Sequence, residues 1–401
     1  MSIKTLVVQI LDKMPTIGSW SNKFWKHFFI VMLVCRGKHN FTNLARYSNL
    51  SETTIRNRFA KRFDFLSFNG HLHDTLESEE RIIAFDPCYL PKSGKHTEGA
   101  SKFWSGCAGA VKKGLEICGF ASVGLESKTA MHLIARQTII VEENQSLIDF
   151  YISLLKEYKE EFLKISNLFV ADAYFSNFKY VDAVVSSKFH FIGKLASNNI
   201  LRYQYKGDKT GKPGRPKQFD GRVDKLYPDP NHFSIFYENP EDGVVIYEGV
   251  VNVKMLKRNA KCVIVHEKQK SGKIKIYSFF TTDISMIGTK VIKCYKLRFQ
   301  IEFLFRDAKQ FVGLSECQAR SKEKLHTHIN TSLTTVSLAK AVHYLSLPTQ
   351  ERTTFSMSSV KVLYFNENYI DMIFRWLQRS PKLDKNSQEY KQLKSYGCIA
   401  A

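Results

Sequence analysis

NLFVADAYFSNFKYVDAVVSSKFHFIGKL, residues Asn167 to Leu195, decides the fold class. An apolar run ends on an acid, Asp172. The stretch FKYVDAVVSS then has helical spacing, and FHFIGKL is strand-like again. The preceding sequence supplies further strands. RIIAFDPCYL, from Arg81, is β-rich at its start and ends that start on Asp86 and Pro87. A polar loop, PKSGKHTEGASKFWSG, follows, then GLEICGFASVGL and TAMHLIARQTII, two more strands, and an amphipathic helix over 145–164. Strands followed by a strand-helix alternation predict a mixed α/β sheet flanked by helices.

Downstream, YKGDKTGKPGRPKQFDGRVDK reads as a loop or arm, with seven basic residues against three acids between Lys206 and Lys225. FSIFYE, VVIYEGVVNVKML, KCVIVHEK and KIKIYSFFTTD are all β-patterned, so 201–285 reads as a β-rich insertion. YKLRFQIEFLFRDAKQ, Tyr295 to Gln310, comes next. At about 100° per residue, Arg298, Glu302 and Lys309 all fall within about 60° of Tyr295. Leu297, Ile301, Leu304, Ala308 and Phe311 cluster opposite, on a core-facing side. A solvated face with Glu302 and Arg306 as an i,i+4 pair is the plain alternative. A long helical stretch from about His326 to Leu345 and a helix over roughly Val360 to Leu377 follow.

Composition narrows the partner. The chain has 401 residues, is 44% hydrophobic and carries a formal charge of +21, enough for a large core and pointing to a polyanion, nucleic acid first. The eight cysteines form no CxxC pair, which reads as reduced, mostly buried thiols of a cytosolic protein. FFIVMLVC, Phe28 to Cys35, is too short to span a bilayer and reads as a buried helix. Residues 1–78 read as helical. NFTNLARYSNLSETTIRNRFAKRF has two helices and a break, with Ser51 capping the second. Leu44, Ala45, Leu50, Ile55 and Phe59 would pack inside, leaving Arg56, Arg58, Lys61 and Arg62 exposed, as in a helix-turn-helix presenting a basic recognition helix.

Two strands end on Asp86 and Asp172, and a helix carries Glu302 in a polar line. Three carboxylates brought together suit hard divalent cations, Mg²⁺ by default. Two such ions activate an attacking hydroxyl and stabilise the leaving oxygen of a phosphodiester.

The order Tyr295, Arg298, Glu302, Lys309, with its intervals of two, three and six residues, resembles the Tyr-Arg-Glu-Lys signature of bacterial DDE transposases of the insertion sequence four type. AFDPCYLPKSGKHTEG and VADAYFSN resemble that family's first and second Asp segments, and GLSECQARSKEKLHTHI its continuation, so the likeness covers about 80–345. It implies an RNase H-like core in two parts, 79–200 and 286–348, interrupted by the β-rich insertion. A helical DNA-binding region (1–78) would precede the core and a helical tail (349–401) would follow. It further implies a metal-binding catalytic triad of Asp86, Asp172 and Glu302 holding Mg²⁺, with Mn²⁺ able to substitute. Tyr295, Arg298 and Lys309 would lie on DNA phosphates. Cut-and-paste transposition through a DNA hairpin, action as a dimer on terminal inverted repeats and target DNA, and a cytoplasmic, nucleoid-associated location complete the expectation. A nuclease that does not join strands, or a protein that only binds terminal repeats, is the alternative.

Weaker candidates stand beside these. Lys92, Lys95 and His96 follow Asp86 where a phosphate would pass. Arg215, in GRPK, suggests a minor-groove hook, with Arg56 and Arg58 the contacts of the recognition helix. Phe233, Phe236 or Tyr237 would stack a flipped base. Asp283 reads as a loop acid, and His71/His73 and His326/His328 as surface histidines.

Overall fold

The alternation at 167–195 folds as expected, and the sheet built around it runs through most of the chain. A computed structural model describes residues 1–94, 96–139, 145–207, 216–239, 242–346, 354–376 and 386–395. Five helices come first: α1 (Ile3–Asp12), α2 (Ser19–Val34), α3 (Phe41–Arg46), α4 (Glu52–Phe59) and α5 (Phe65–His73). Then come β1 (Arg81–Pro91), β2 (Ser101–Ser105), β3 (Ala110–Gly124), β4 (Ala130–Gln137), α6 (Leu147–Leu163), β5 (Leu168–Ala171), α7 (Phe178–Ser186) and β6 (His190–Leu195). The remaining strands are β7 (Leu201–Gln204), β8 (Phe219–Arg222), β9 (Ser234–Asn239), β10 (Val244–Val253), β11 (Arg258–Lys268) and β12 (Ile274–Thr281). Five helices close the chain: α8 (Gly288–Leu297), α9 (Gln300–Phe311), α10 (Lys322–Ser346), α11 (Met357–Trp376) and α12 (Gln388–Ser395).

Among the described residues the strands form one sheet in the order β2-β3-β1-β5-β6-β12-β11-β10-β7-β8, with β4 on β3 and β9 on β10. The β1–β5 and β5–β6 pairs are parallel, and the others are antiparallel. The strands of 201–285, expected as an insertion, extend this same sheet, because β12 pairs with β6 from Ser278↔Leu195 to Thr281↔Ile192. Alternation along β1 and β3 assigns the two faces. Phe85 and Phe120 turn to one side, where they meet Tyr151 and Phe162 of α6 and Tyr180 of α7. Asp86 and its partner Gly119 turn to the other. There α9 presses so close that a Cβ on Gly119 would lie 2.5 Å from the Phe305 ring.

Helix α10 is buried almost all round yet rich in Thr, Ser and Asn. The free edge of β4 explains this, since buried main-chain groups need partners. Asn330 accepts from Ala135 N (2.9 Å) and donates to Ala135 O (3.0 Å), as a neighbouring strand would. Ser337 accepts from His132 N (2.8 Å), and Lys340 donates to Ala130 O (3.1 Å). His328, expected at the surface, is buried and bonds Gly313 O at 2.8 Å, because α10 packs against α4 with the Phe59 and His328 rings 6.3 Å apart.

Asn330→Ala strips both Ala135 main-chain groups of their partner. The expected loss is about 3 kcal/mol in denaturant unfolding, from two buried groups left unpaired. A loss below about 1 kcal/mol would mean that the helix does not cap this edge.

Candidate active site

Asp86 lies inside β1, five residues before its end, and not at a strand end as expected. The parallel β1–β5 ladder stops at Phe85↔Ala171. Asp86 and Asp172 are therefore the first residues past the point where β5 leaves the sheet, one on each strand. Tyr295 to Gln310 was expected as one helix but forms the end of α8 and most of α9. Between them, Arg298 and Phe299 keep αR dihedrals, but the turn tightens into i→i+3 bonds, with Ile301 N to Arg298 O at 3.2 Å and Glu302 N to Phe299 O at 3.1 Å. No Pro or Gly causes the break. It falls at the residue that reaches across to the sheet.

That residue is Arg298, whose side chain is only 12% exposed. Its guanidinium stands 3.0 Å from Glu302, 3.8 Å from Asp86 and 3.9 Å from Asp172. Burial disfavours the cation, but Asp172, Asp86 and Glu302 outweigh it and hold the pKa above its ordinary value. Glu302 therefore pairs with Arg298. Arg306 turns to its neighbour Asp307 at 2.9 Å, so the Glu302–Arg306 pair of the alternative reading does not form. Tyr295 Oη donates to Asp172 at 3.3 Å, and burial together with that carboxylate pushes its phenol up to about 12. Lys309 Nζ donates to Tyr89 O at 3.0 Å and lies beside the Cys88 thiol. Sequence reasoning missed Tyr89 and Cys88, because a main-chain acceptor leaves no mark on residue type.

Asp86 is the strained member. Burial raises its carboxyl, Arg298 opposes, and Glu302 and Asp172 raise it further, pushing it up to about 7. Three acids face two cations here, and the resulting excess of negative charge is what a divalent ion meets. The donor set is all carboxylate oxygen, which suits a hard cation. As arranged, the acids gather around a guanidinium, and among the described residues no three His, Cys, Asp or Glu side chains are disposed to hold a metal ion.

The other candidates are scattered. Lys92 donates to Cys317 O and is half-buried. Lys95 and Arg215 lie outside the described residues, while His96 is exposed. In the N-terminal region α3 and α4 form with Ser51 as cap, accepting from Thr54 N. Arg56 and Arg58 are not freely exposed as expected. Arg56 pairs with Glu52 at 2.6 Å and lies over Phe41, and Arg58 lies over Trp20. Lys61 and Arg62 do face solvent. Phe233 is buried and unavailable for stacking, whereas Tyr237 is exposed. Asp283 closes a local turn by accepting from Ser285 N and Oγ. Seven cysteines are free among the described residues, six of them buried; Cys398 lies outside these residues. Among the described residues no helix is long and apolar enough to cross a membrane.

An acid from β1, another just past the end of the neighbouring β5 and a third from α9 thus lie together with Arg298 between them. Residues 95–338 match the family described as transposase DDE domain, and the chain belongs to that family. The matched stretch contains Asp172 and Glu302 and begins nine residues after Asp86. Among solved structures, the chain is similar to a piggyBac transposase synaptic complex with hairpin DNA, at a TM-score of 0.40 and 12% identity, covering 97% of this chain and 78% of that one. No curated protein matches.

The raised Asp86 carboxyl carries a sign for stability. The folded state holds this proton to about pH 7, whereas an unfolded Asp releases it near about 3.9. Its contribution is therefore fully present below about pH 4 and is lost as pH climbs to about 7. With a chelator present, Asp86→Asn should flatten that decline and gain about 3 kcal/mol at about pH 8 in chemical denaturation. An unchanged pH profile would show that Asp86 is not the strained acid.

Proposed function

We propose that the chain is a cut-and-paste DNA transposase of the insertion sequence four type, with Asp86, Asp172 and Glu302 as its catalytic acids. The observation that carries this reading is the convergence of the three carboxylates on Arg298, with Tyr295 on Asp172 and Lys309 beside the strand of Asp86. Asp86, Asp172 and Glu302 would hold a pair of Mg²⁺ ions, or Mn²⁺ in their place. When bound, these activate an attacking hydroxyl and stabilise the leaving oxygen of a phosphodiester.

The chain's own groups handle the phosphate. Arg298 offers a planar fork that exchanges carboxylate oxygens for phosphate oxygens without changing its donors. Lys309 gives a point charge and Tyr295 a neutral hydroxyl donor. Hydrolysis at each element end frees a 3′-hydroxyl. Its attack on the phosphodiester of the opposite strand joins the two strands of the end as a hairpin and displaces the 3′-oxygen of the flanking DNA, which leaves as a 3′-hydroxyl; a further hydrolysis reopens the hairpin before strand transfer. The helical region 1–78 would bind terminal inverted repeats through the solvent face of α4, where Lys61 and Arg62 follow the helix. The excess of 59 Lys and Arg over 38 Asp and Glu would carry the remaining backbone contacts. Two chains on two ends make a dimer in the synaptic complex, in a bacterial cytoplasm.

The test compares wild type with Glu302→Gln on DNA carrying the element's inverted repeats, with Mg²⁺ or Mn²⁺ and DNA binding followed in parallel. The variant should bind within about twofold of wild type and cut at least about a thousandfold more slowly, a loss in the range expected for a major electrostatic contributor. Cutting without joining by wild type would favour a nuclease. Cutting by Glu302→Gln at the wild-type rate would remove Glu302 from the triad.

A further inference from the structure

The hairpin of β2 and the start of β3 carries chemistry that the proposed reaction does not use. Its register pairs Lys102 with Lys113 and Trp104 with Val111. Strand alternation puts Lys102 and Trp104 on one face, with Lys113 and Val111 directly across. Trp104 is 62% and Val111 59% exposed, and both lysines are exposed. Between Gly99 and Leu115 the chain has Lys102, Lys112 and Lys113 and no Asp or Glu. Like charges set directly opposite repel, so the Lys102–Lys113 pair favours an anion between or beside its ammonium groups. Lysines alone would be ordinary protection of the edge strand β2, but protection gives no reason for an open indole against Val111. Trp20, also strongly exposed, has Lys23 and Arg58 over its ring.

The hairpin is also held in place. Phe103 is buried beneath it. Tyr89 Oη donates to Lys113 O at 2.8 Å, while the carbonyl of the same Tyr89 takes the Lys309 ammonium. One residue of the Asp86 strand thus fixes both the hairpin and a cation of the active site.

We propose that this hairpin is a DNA-contacting finger: Trp104 stacks on an unpaired base, and Lys102 and Lys113 hold the phosphates beside it. The partner rests on the transposase reading above. A second copy of the chain is the weaker occupant, since a two-fold contact would bring each lysine pair against its own like charges.

The experiment uses the full chain with a fluorescein-labelled oligo-dT of about 20 nucleotides, long enough for one single-strand site, and a duplex of the same length. Trp104→Ala should weaken oligo-dT binding by about tenfold or more and remove most of the tryptophan fluorescence quench, while Trp104→Phe stays within about threefold. Lys102→Gln with Lys113→Gln should reduce the oligo-dT salt slope by about 1.4. Trp104→Ala binding oligo-dT within about twofold of wild type, with the quench unchanged, overturns the proposal. So does loss of a sedimenting dimer in Trp104→Ala with DNA binding intact, which would mark a contact between copies. Because the readout is binding, it is separate from the Glu302→Gln cutting assay, and either can fail while the other stands.

Discussion

The structure turns on one cation set among acids. Arg298 is nearly buried and touches Glu302, Asp86 and Asp172 from three different elements. Buried charges are costly; here only Glu302 stands within hydrogen-bond distance, at 3.0 Å, while Asp86 and Asp172 act through charge at 3.8 and 3.9 Å and Arg298 Nε is buried without a partner. Without it, three carboxylates would crowd the end of β5 with no cation between them. Burial first, and then the charges of Glu302 and Asp172, push the Asp86 carboxyl up to about 7 against the opposing pull of Arg298. A site left strained and negative is poised to take up cations and to hand its arginine to another anion, the kind of tension expected where stability gives way to function.

Everything else serves to hold that convergence still. Parallel pairing of β1 with β5 puts Asp86 and Asp172 side by side, and Gly119 lets α9 settle against β3 opposite Asp86. The far side of β4 is sealed by α10, whose Asn330, Ser337 and Lys340 replace a missing strand. At Gly313, where the backbone turns left-handed (φ +65°), the chain leaves α9. Beside it, Glu316 accepts from the main-chain N of His39 at 2.6 Å, tying the N-terminal helices to the core next to α9. The N-terminal helices and the sheet are thus joined through packed, hydrogen-bonded contacts.

Much of this was legible in residue order. Alternating apolar runs predicted β1, β3, β4, β5 and β6, because a strand buried on both faces writes itself as an unbroken apolar stretch. Ser51 was readable as a cap since capping depends on neighbours only a few residues away. Asp172 was readable as a strand-end acid for the same local reason. The pairing of Glu302 was not: Arg298 and Arg306 both stand four residues away, and local spacing could not choose between them, whereas in the fold Arg298 lies between Glu302 and the two aspartates and Arg306 turns to Asp307.

By itself, then, the sequence determined the α/β class and the line of Tyr295, Arg298, Glu302 and Lys309 along one helical face, which follow from periodicity and spacing within single elements; the grouping of Asp86, Asp172 and Glu302 came from a family resemblance. Tertiary structure alone decided that β12 would return to β6 and make one continuous sheet, that Asp86 would sit inside its strand, and that a guanidinium would hold the acids together. Each of these depends on contacts between residues far apart in the chain, where main-chain pairing and long-range charge outweigh local preference.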